Sequence, residues 1–350
     1  MEKIKFTSTG AFTQALKQRV NEFFKKNNIS KKGNFNLHLK STILLVSFVI
    51  SYIGAFYLPP FTLLRIISTI ILGFSVVGIG FNIMHDGAHG SYSTKSWINT
   101  LAGHSMNLIG ATVSLWKPKH NILHHTFTNI AGHDDDIELY PLVRTLPHQK
   151  KLLLHRVQNW YFWALYPFHL FLWIYGSDFQ QYFKQRVATQ KVPFSTREHF
   201  IFWITKITHI GLFLVLPICT VGIIATLVSY IVTMMIASII LSFVFQCAHL
   251  VTETTMRDVG DEHTKEWTVH QLETTADFGQ KSKMLTWFLG GLNFQVEHHL
   301  FHDISHVHYP KISRIVKETC AEFKIPYHEY PTFLGALKSH FSYMKKMAIT

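Results

Sequence analysis

The sequence predicts an all-α integral membrane protein: four transmembrane helices arranged as two hairpins, with a cytoplasmic helical cap that gathers histidines. Three observations carry that prediction. Long charge-poor runs occur in two close pairs, a large polar segment follows each pair, and many of the 23 histidines crowd into short clusters within those polar segments. Composition agrees. Of the 350 residues 48 % are hydrophobic and 15 % charged, against roughly 25 % charged in an ordinary soluble domain. The hydrophobic and aromatic content excludes disorder. Three scattered cysteines, Cys219, Cys247 and Cys320, exclude a disulfide scaffold, and without a CxxC pair they offer no thiolate zinc site.

The elements follow in chain order. Residues 1–40 form a basic N-terminal segment with nine Lys and Arg against Glu2 and Glu22, a net charge of +7. It lacks the apolar core and cleavage site of a signal peptide. Residues 41–58 carry no charge, Pro59-Pro60 break the run, and residues 61–84 carry only Arg65. Each run approaches the roughly 20 residues that cross a bilayer core, and the tight Pro-Pro turn favours a hairpin over two buried core helices. A second hairpin spans 200–218 and 221–245. Between the pairs, Trp160–Tyr175 is short, aromatic and interrupted by Pro167 and His169, which suits a helix lying in the interface and gives four spans rather than five. The positive-inside rule then puts residues 1–40 in the cytoplasm, and two hairpins return both large polar segments, 85–199 and 246–350, to that face. Residues 41–330 read as the main membrane domain and 331–350 as a C-terminal tail.

The histidines say what the polar segments do. His85-Asp86-Gly87-Ala88-His89 begins where the second apolar run ends; His120-Asn121-Ile122-Leu123-His124-His125 adds an adjacent imidazole to another i, i+4 pair; Gln295-Val296-Glu297-His298-His299 sets a carboxamide one turn before a His pair. On an α-helix, i and i+4 share a face one turn apart. One such pair arises by chance in a His-rich chain, and a lone His is usually a core or surface residue. Three clusters on one membrane face are another matter. Imidazole suits iron, copper, zinc or nickel, and seven imidazoles exceed the four ligands of one zinc. Soluble di-iron bundles use Glu-x-x-His pairs, a spacing absent here, so an all-histidine dinuclear site, with redox-active iron foremost, is the sharper inference.

The boxes HDGAH, HNILHH and QVEHH resemble those of the membrane fatty acid desaturases, and the Gln that opens the third resembles the front-end branch. Matching text continues in LHHTFTN (123–129), GHDDDIEL (132–139), HQLETTADF (270–278) and LNFQVEHHLF (292–301), so the likeness runs from about residue 40 to 330. It implies a di-iron site in the cap, with His85 and His89, then His120, His124 and His125, then His298 and His299 as ligands. His249 in FQCAHL stands where the family has a ligand after its last span. Gln295 stands in place of a further His, as a weak amide ligand or a holder of a water on the metal. Asp86, Glu297, Asp134 and His270 are candidates to support the ligands, and Asp135 and Asp136 share the loop of Asp134. The front-end pattern that this text resembles usually continues HHLFP, and His302 stands here in place of that proline. His302, His306 and His308 are read as supporting or surface residues, and His104, His133, His148 and His155 as nonligands. Trp116 and Trp267 border the substrate channel or anchor at the interface.

The resemblance further implies O2-dependent dehydrogenation of a methylene pair in an acyl-CoA or acyl-lipid. No His-Pro-Gly-Gly haem motif occurs, so electrons are expected from a separate ferredoxin, or from cytochrome b5 with its reductase. The +12 charge suits anionic membrane lipids, an acidic donor or a CoA ester. Nucleic acid is disfavoured for want of a binding module. The expected location is a multi-pass position in the bacterial cytoplasmic membrane or the endoplasmic reticulum, with the site on the cytoplasmic face. Two rivals are a membrane di-iron hydroxylase and a His-rich membrane zinc protein; a transporter of the latter kind places its ligands near the midplane, whereas these clusters lie at or beyond helix ends.

Overall fold

Helices of the length that a bilayer demands dominate the computed structural model, which describes residues 4–137, 139–188, 190–258 and 265–349. Glu138 of the GHDDDIEL text and Glu2 and Lys3 of the basic segment lie outside the described residues. The helices that position the site are α1 (Ala11–Lys26), α2 (Phe35–Tyr57), α3 (Leu63–Ile79), α4 (Thr196–Ile210), α5 (Ile223–His249), α6 (Trp267–Thr274), α7 (Gln295–Leu300), α8 (Tyr309–Glu322) and α9 (Phe333–Ile349). Strand structure among the described residues is confined to two-residue pairs: Arg186–Val187 antiparallel to Gln190–Lys191, and Asp277–Phe278 parallel to Glu329–Tyr330.

Among the described residues, four stretches are long and apolar enough to cross a membrane: Phe35–Tyr57, Leu63–Ala88, Thr196–Val221 and Ile223–His249. They overlap the four apolar runs but reach into polar sequence, because a helix ends where its backbone is capped and not where its hydrophobicity stops. Asn34 starts α2 by accepting the Leu37 N–H at 3.2 Å. Thr62 does the same for Arg65 at the start of α3. Ser195 and Glu198 form a reciprocal capping box ahead of α4. The aromatic run 160–175 is helical but changes its winding at Tyr166–Phe168, around Pro167, and again in a π-helical turn at Trp173–Ser177.

The chain divides into two compact units. One comprises residues 34–118 and 164–243. Here small residues let helices approach, as expected where lipid removes the hydrophobic drive between helices. A Cβ on Gly54 of α2 would lie 2.2 Å from the Ser68 hydroxyl, and one on Gly73 of α3 would lie 2.8 Å from Ile236 Cβ and 3.0 Å from the Thr233 carbonyl oxygen on α5. Ser47 and Ser75 share a 2.9 Å hydrogen bond between α2 and α3. Arg65, the lone charge of its run, is buried. Its guanidinium donates to the carbonyls of Leu58 (2.9 Å) and Ala225 (2.8 Å) and to the Ser229 hydroxyl (3.2 Å). Gly73→Val is expected to lower thermal stability in detergent by about 1–3 kcal/mol through overpacking. Gly176→Ala, where a Cβ meets nothing within 4 Å, is the control that does not lower the unfolding midpoint.

The other unit comprises residues 1–33, 119–163 and 244–350. Within the basic segment α1 is amphipathic: Phe12, Leu16, Val20 and Phe24 recur every fourth residue and pack with Val296 and Leu300 of α7 and Ile312, Val316 and Cys320 of α8. Helix α9 occupies most of residues 331–350 and buries Ala336, His340, Tyr343, Met344 and Met347. Tyr343 donates to the Thr145 carbonyl at 2.6 Å and Arg144 to the Met347 carbonyl at 2.9 Å. These contacts tie both chain ends to the scaffold that holds the second and third boxes.

Candidate metal centre

Three imidazoles from three separate segments converge in the second of these units. The ligand atoms of His124, His249 and His299 all lie within 4.8 Å of one another, and the ring centroids are 4.8–4.9 Å apart. Each Nδ1–H has an acceptor. His124 donates to both oxygens of Asp134 at 3.0 Å, His249 to the Thr274 carbonyl at 3.2 Å, and His299 to Gln271 Oε1 at 2.8 Å. The three Nε2 atoms are buried and find no hydrogen-bond partner among the described residues. An imidazole whose Nδ1 proton is held presents the Nε2 lone pair. Three such lone pairs turned toward one another in a buried pocket are the donor set that a transition metal takes, so the residues present fit one.

The chain winds in an unexpected way to achieve this. The HNILHH spacing predicts an α-helix, but Pro118–His124 forms a π-helical turn. In an α-helix, at about 100° per residue, His125 would point about 140° away from His120. The i→i+5 bonding of a π turn brings residue i+5 back over residue i. The His120 ring accordingly lies 5.1 Å from His124 and 4.8 Å from His125. His298 stacks on His120 at 6.0 Å, His125 lies 4.6 Å from His298 and 4.5 Å from His299, and the Tyr309 hydroxyl is 3.3 Å from His298 Nδ1. His302 lies 5.0 Å from His125. In the other unit a π turn at Gly80–Met84 precedes the first box. His85 and His89 sit 4.7 Å apart, and their rings lie 5.9 and 6.1 Å from that of Trp116.

Charge in the pocket is arranged to match. Burial lowers His299 well below the ordinary histidine range, and neighbouring imidazoles add to the effect. Burial likewise takes His120 down to about 4, against the pull of Asp136, whose carboxylate is 3.3 Å from its Nδ1. For His124 burial also opposes charge, but the Asp134 carboxylate prevails and raises it, a proton that metal binding displaces. Burial works against the Asp136 carboxylate too, but Lys119, 2.8 Å away, and the imidazoles hold it well below the usual range.

The other expected residues are placed differently. Gln295 is buried, and its amide nitrogen has no partner among the described residues. Glu297 accepts from Tyr327 at 3.0 Å and interacts with Asp277, because neighbours on a helix point about 100° apart and it faces away from His298. His270 Nε2 donates to the Thr128 carbonyl at 2.9 Å. Asp86 interacts electrostatically with Lys40 of α2. Trp267 donates to the His125 carbonyl at 3.0 Å. Gln271 and the Thr274 carbonyl, which hold two of the three converging rings, carry no signal beyond their place in the HQLETTADF text.

Among the described residues, four helices are long and apolar enough to cross a membrane, and a buried set of oriented imidazoles could hold a metal ion. The sequence profile of the fatty acid desaturases matches residues 60–331. The chain is 36 % identical to the sn-1 linoleoyl-lipid 6-desaturase of Arthrospira platensis, over 99 % of this chain and 95 % of the relative. It is 32 % identical to the enzyme of the same name from Synechocystis, over 99 % and 98 %. The acyl-lipid (8-3)-desaturase of Physcomitrium patens is 35 % identical, over 97 % of this chain and 72 % of its own length. This chain belongs to the fatty acid desaturase family. It is an oxidoreductase, and its similar proteins are front-end desaturases, the branch that the QVEHH box resembles.

Proposed function

We propose that the chain desaturates acyl chains of membrane lipids between an existing double bond and the carboxyl end, with a linoleoyl chain as the first substrate to try. The relatives named for linoleoyl-lipid and acyl-lipid substrates support that choice of carrier over CoA. The observation that carries the reading is the convergence of His124, His249 and His299 with their Nδ1 protons held and their Nε2 atoms without a hydrogen-bond partner among the described residues. His85, His89, His120, His125 and His298 complete the proposed ligand set for two iron ions; the motifs support all five, and the ring contacts of the second and third boxes add support for three.

Bound iron would supply the oxidising chemistry: two hydrogens leave adjacent methylenes to give the double bond, and those two hydrogens together with O2, two electrons from the donor and two protons become two waters. The protein does the rest. Asp134, Gln271 and the Thr274 carbonyl orient imidazoles, the buried pocket excludes bulk water, and the four spans form two membrane hairpins within a catalytic domain of residues 41–330. Net positive charge in residues 1–40 supports a cytoplasmic N-terminus, which places both box-bearing segments on that face. A separate ferredoxin or cytochrome b5 provides the electrons.

Expression in a host supplied with linoleate, followed by gas chromatography–mass spectrometry of the lipid-derived methyl esters, tests the reading. A new double bond on the carboxyl side of the existing ones is the expected product. A hydroxylated chain, or protein purified with zinc in place of iron, overturns it.

A further inference from the structure

We propose that the buried ion pair of Lys206 and Asp178 positions His85 and His89, by fixing the turn from which Trp116 is carried against both rings. The inference rests on the reading of those histidines as metal ligands. Lys206 lies on α4 and Asp178 opens the helix Asp178–Lys184. Their side chains are 3 % and 0 % exposed, and Nζ is 2.7 Å from Oδ2. The ammonium also donates to the carbonyls of Gly110 (2.7 Å) and Ile174 (2.9 Å), so its three protons each have an acceptor. The same carboxylate oxygen accepts the Thr112 N–H at 3.0 Å. The pair therefore grips the Gly110–Thr112 turn by one carbonyl and one N–H.

The turn has no room to shift. Gly110 has φ +88°, where a side chain is strained, and a Cβ there would lie 2.7 Å from the His209 ring on α4. The Thr112 carbonyl accepts from Leu115 and Trp116, at 3.1 and 3.0 Å, so the position of Thr112 sets the start of the helix Val113–Lys117. Trp116 leaves that helix to lie 5.9 Å from His85 and 6.1 Å from His89.

Stability alone does not account for this arrangement. A charge within a membrane-spanning segment is expensive, and a buried ion pair adds little over well-packed apolar residues. What a lysine–aspartate pair provides here is donors and an acceptor for irregular backbone where water is scarce, at the one turn that orients Trp116.

The full-length protein, purified in detergent, gives the test. Lys206→Met and Asp178→Asn act on the pair, and Trp116→Leu leaves the pair intact while removing the ring. Iron per chain, monodispersity and product yield are read for each. Every variant is expected to stay monodisperse, to retain about half the wild-type iron and to form product at least about tenfold more slowly, the scale of lost support around a metal. Wild-type iron and yield in Asp178→Asn and Trp116→Leu would overturn the proposal, even where Lys206→Met fails to fold. So would loss of monodispersity in all three, which marks a global structural role. A wild-type chain that binds no iron overturns the metal reading itself, a failure distinct from the first two.

Discussion

His124→Ala, His249→Ala and His299→Ala are each expected to eliminate desaturation and to strip metal from the protein, with a loss beyond the roughly 10–100-fold that follows removal of a supporting partner. The three rings meet with their ligand atoms within 4.8 Å, so each truncation opens the pocket and leaves two imidazoles where three converged. Iron per chain and product yield are measured side by side in the same membranes. His155→Ala is the matched control. His155 is as deeply buried, but its Nδ1 accepts the Leu152 N–H at 3.1 Å and its Nε2 donates to the Pro141 carbonyl at 2.8 Å. Its loss therefore lowers stability without lowering iron per folded chain. The contrast makes the unpartnered Nε2, and not burial, the mark of a ligand. A His249→Ala chain that keeps its iron and its activity would remove His249 from the set.

The spans were legible because a bilayer imposes a length and an absence of charge that few other environments require. The exceptions inside them were legible only as anomalies. Arg65 and Lys206 stand out in apolar text, but which carbonyls they serve is set by contacts far along the chain: Ala225 for Arg65, Gly110 and Ile174 for Lys206. The box histidines were legible from spacing, yet the spacing was read on the wrong helix. A π turn has no residue signature, and without it the third imidazole of HNILHH would point away from the first.

His249 was different again. A single histidine after an apolar run carries no periodicity, so only the family likeness singled it out; in the structure its ring stands 4.9 Å from that of His299. The amphipathic stripe of α1 was hidden by its own lysines, since counting charge over residues 1–40 averages away four apolar positions spaced by four. Of the three consecutive aspartates only Asp134 stands among the expected supporting residues, and nothing in the sequence adds Asp136 to it. Asp134 and Asp136 reach imidazoles of the second box, His124 and His120 respectively, because the loop turns between them: the Asp136 N–H donates back to Asp134 Oδ1 at 3.0 Å.

Asp134→Ala is expected to cost about 10–100-fold in iron affinity or activity while all four spans remain intact. The carboxylate does two jobs at once. It fixes the His124 ring through Nδ1, and it closes its own loop by accepting the N–H groups of Asn129 (2.9 Å) and Asp136. Asn129 in turn donates its amide to the carbonyls of His249 and Thr274, at 3.0 and 3.2 Å, the latter being the acceptor for His249 Nδ1. Loss of Asp134 therefore loosens two of the three rings: His124 directly, and His249 through Asn129. Asp134→Asn removes the charge and one acceptor: its single amide oxygen can still accept from His124 and from one of the two loop N–H groups, while its NH2 faces the other. Its expected loss is smaller than that of the Ala variant, with iron retained at saturating metal and released sooner on dilution against a chelator. Equal loss in the two variants would place the whole contribution in the carboxylate's charge and its second oxygen. Full iron and full activity in Asp134→Ala would show that His124 needs no partner on Nδ1, and the oriented trio would lose its claim to be the metal site.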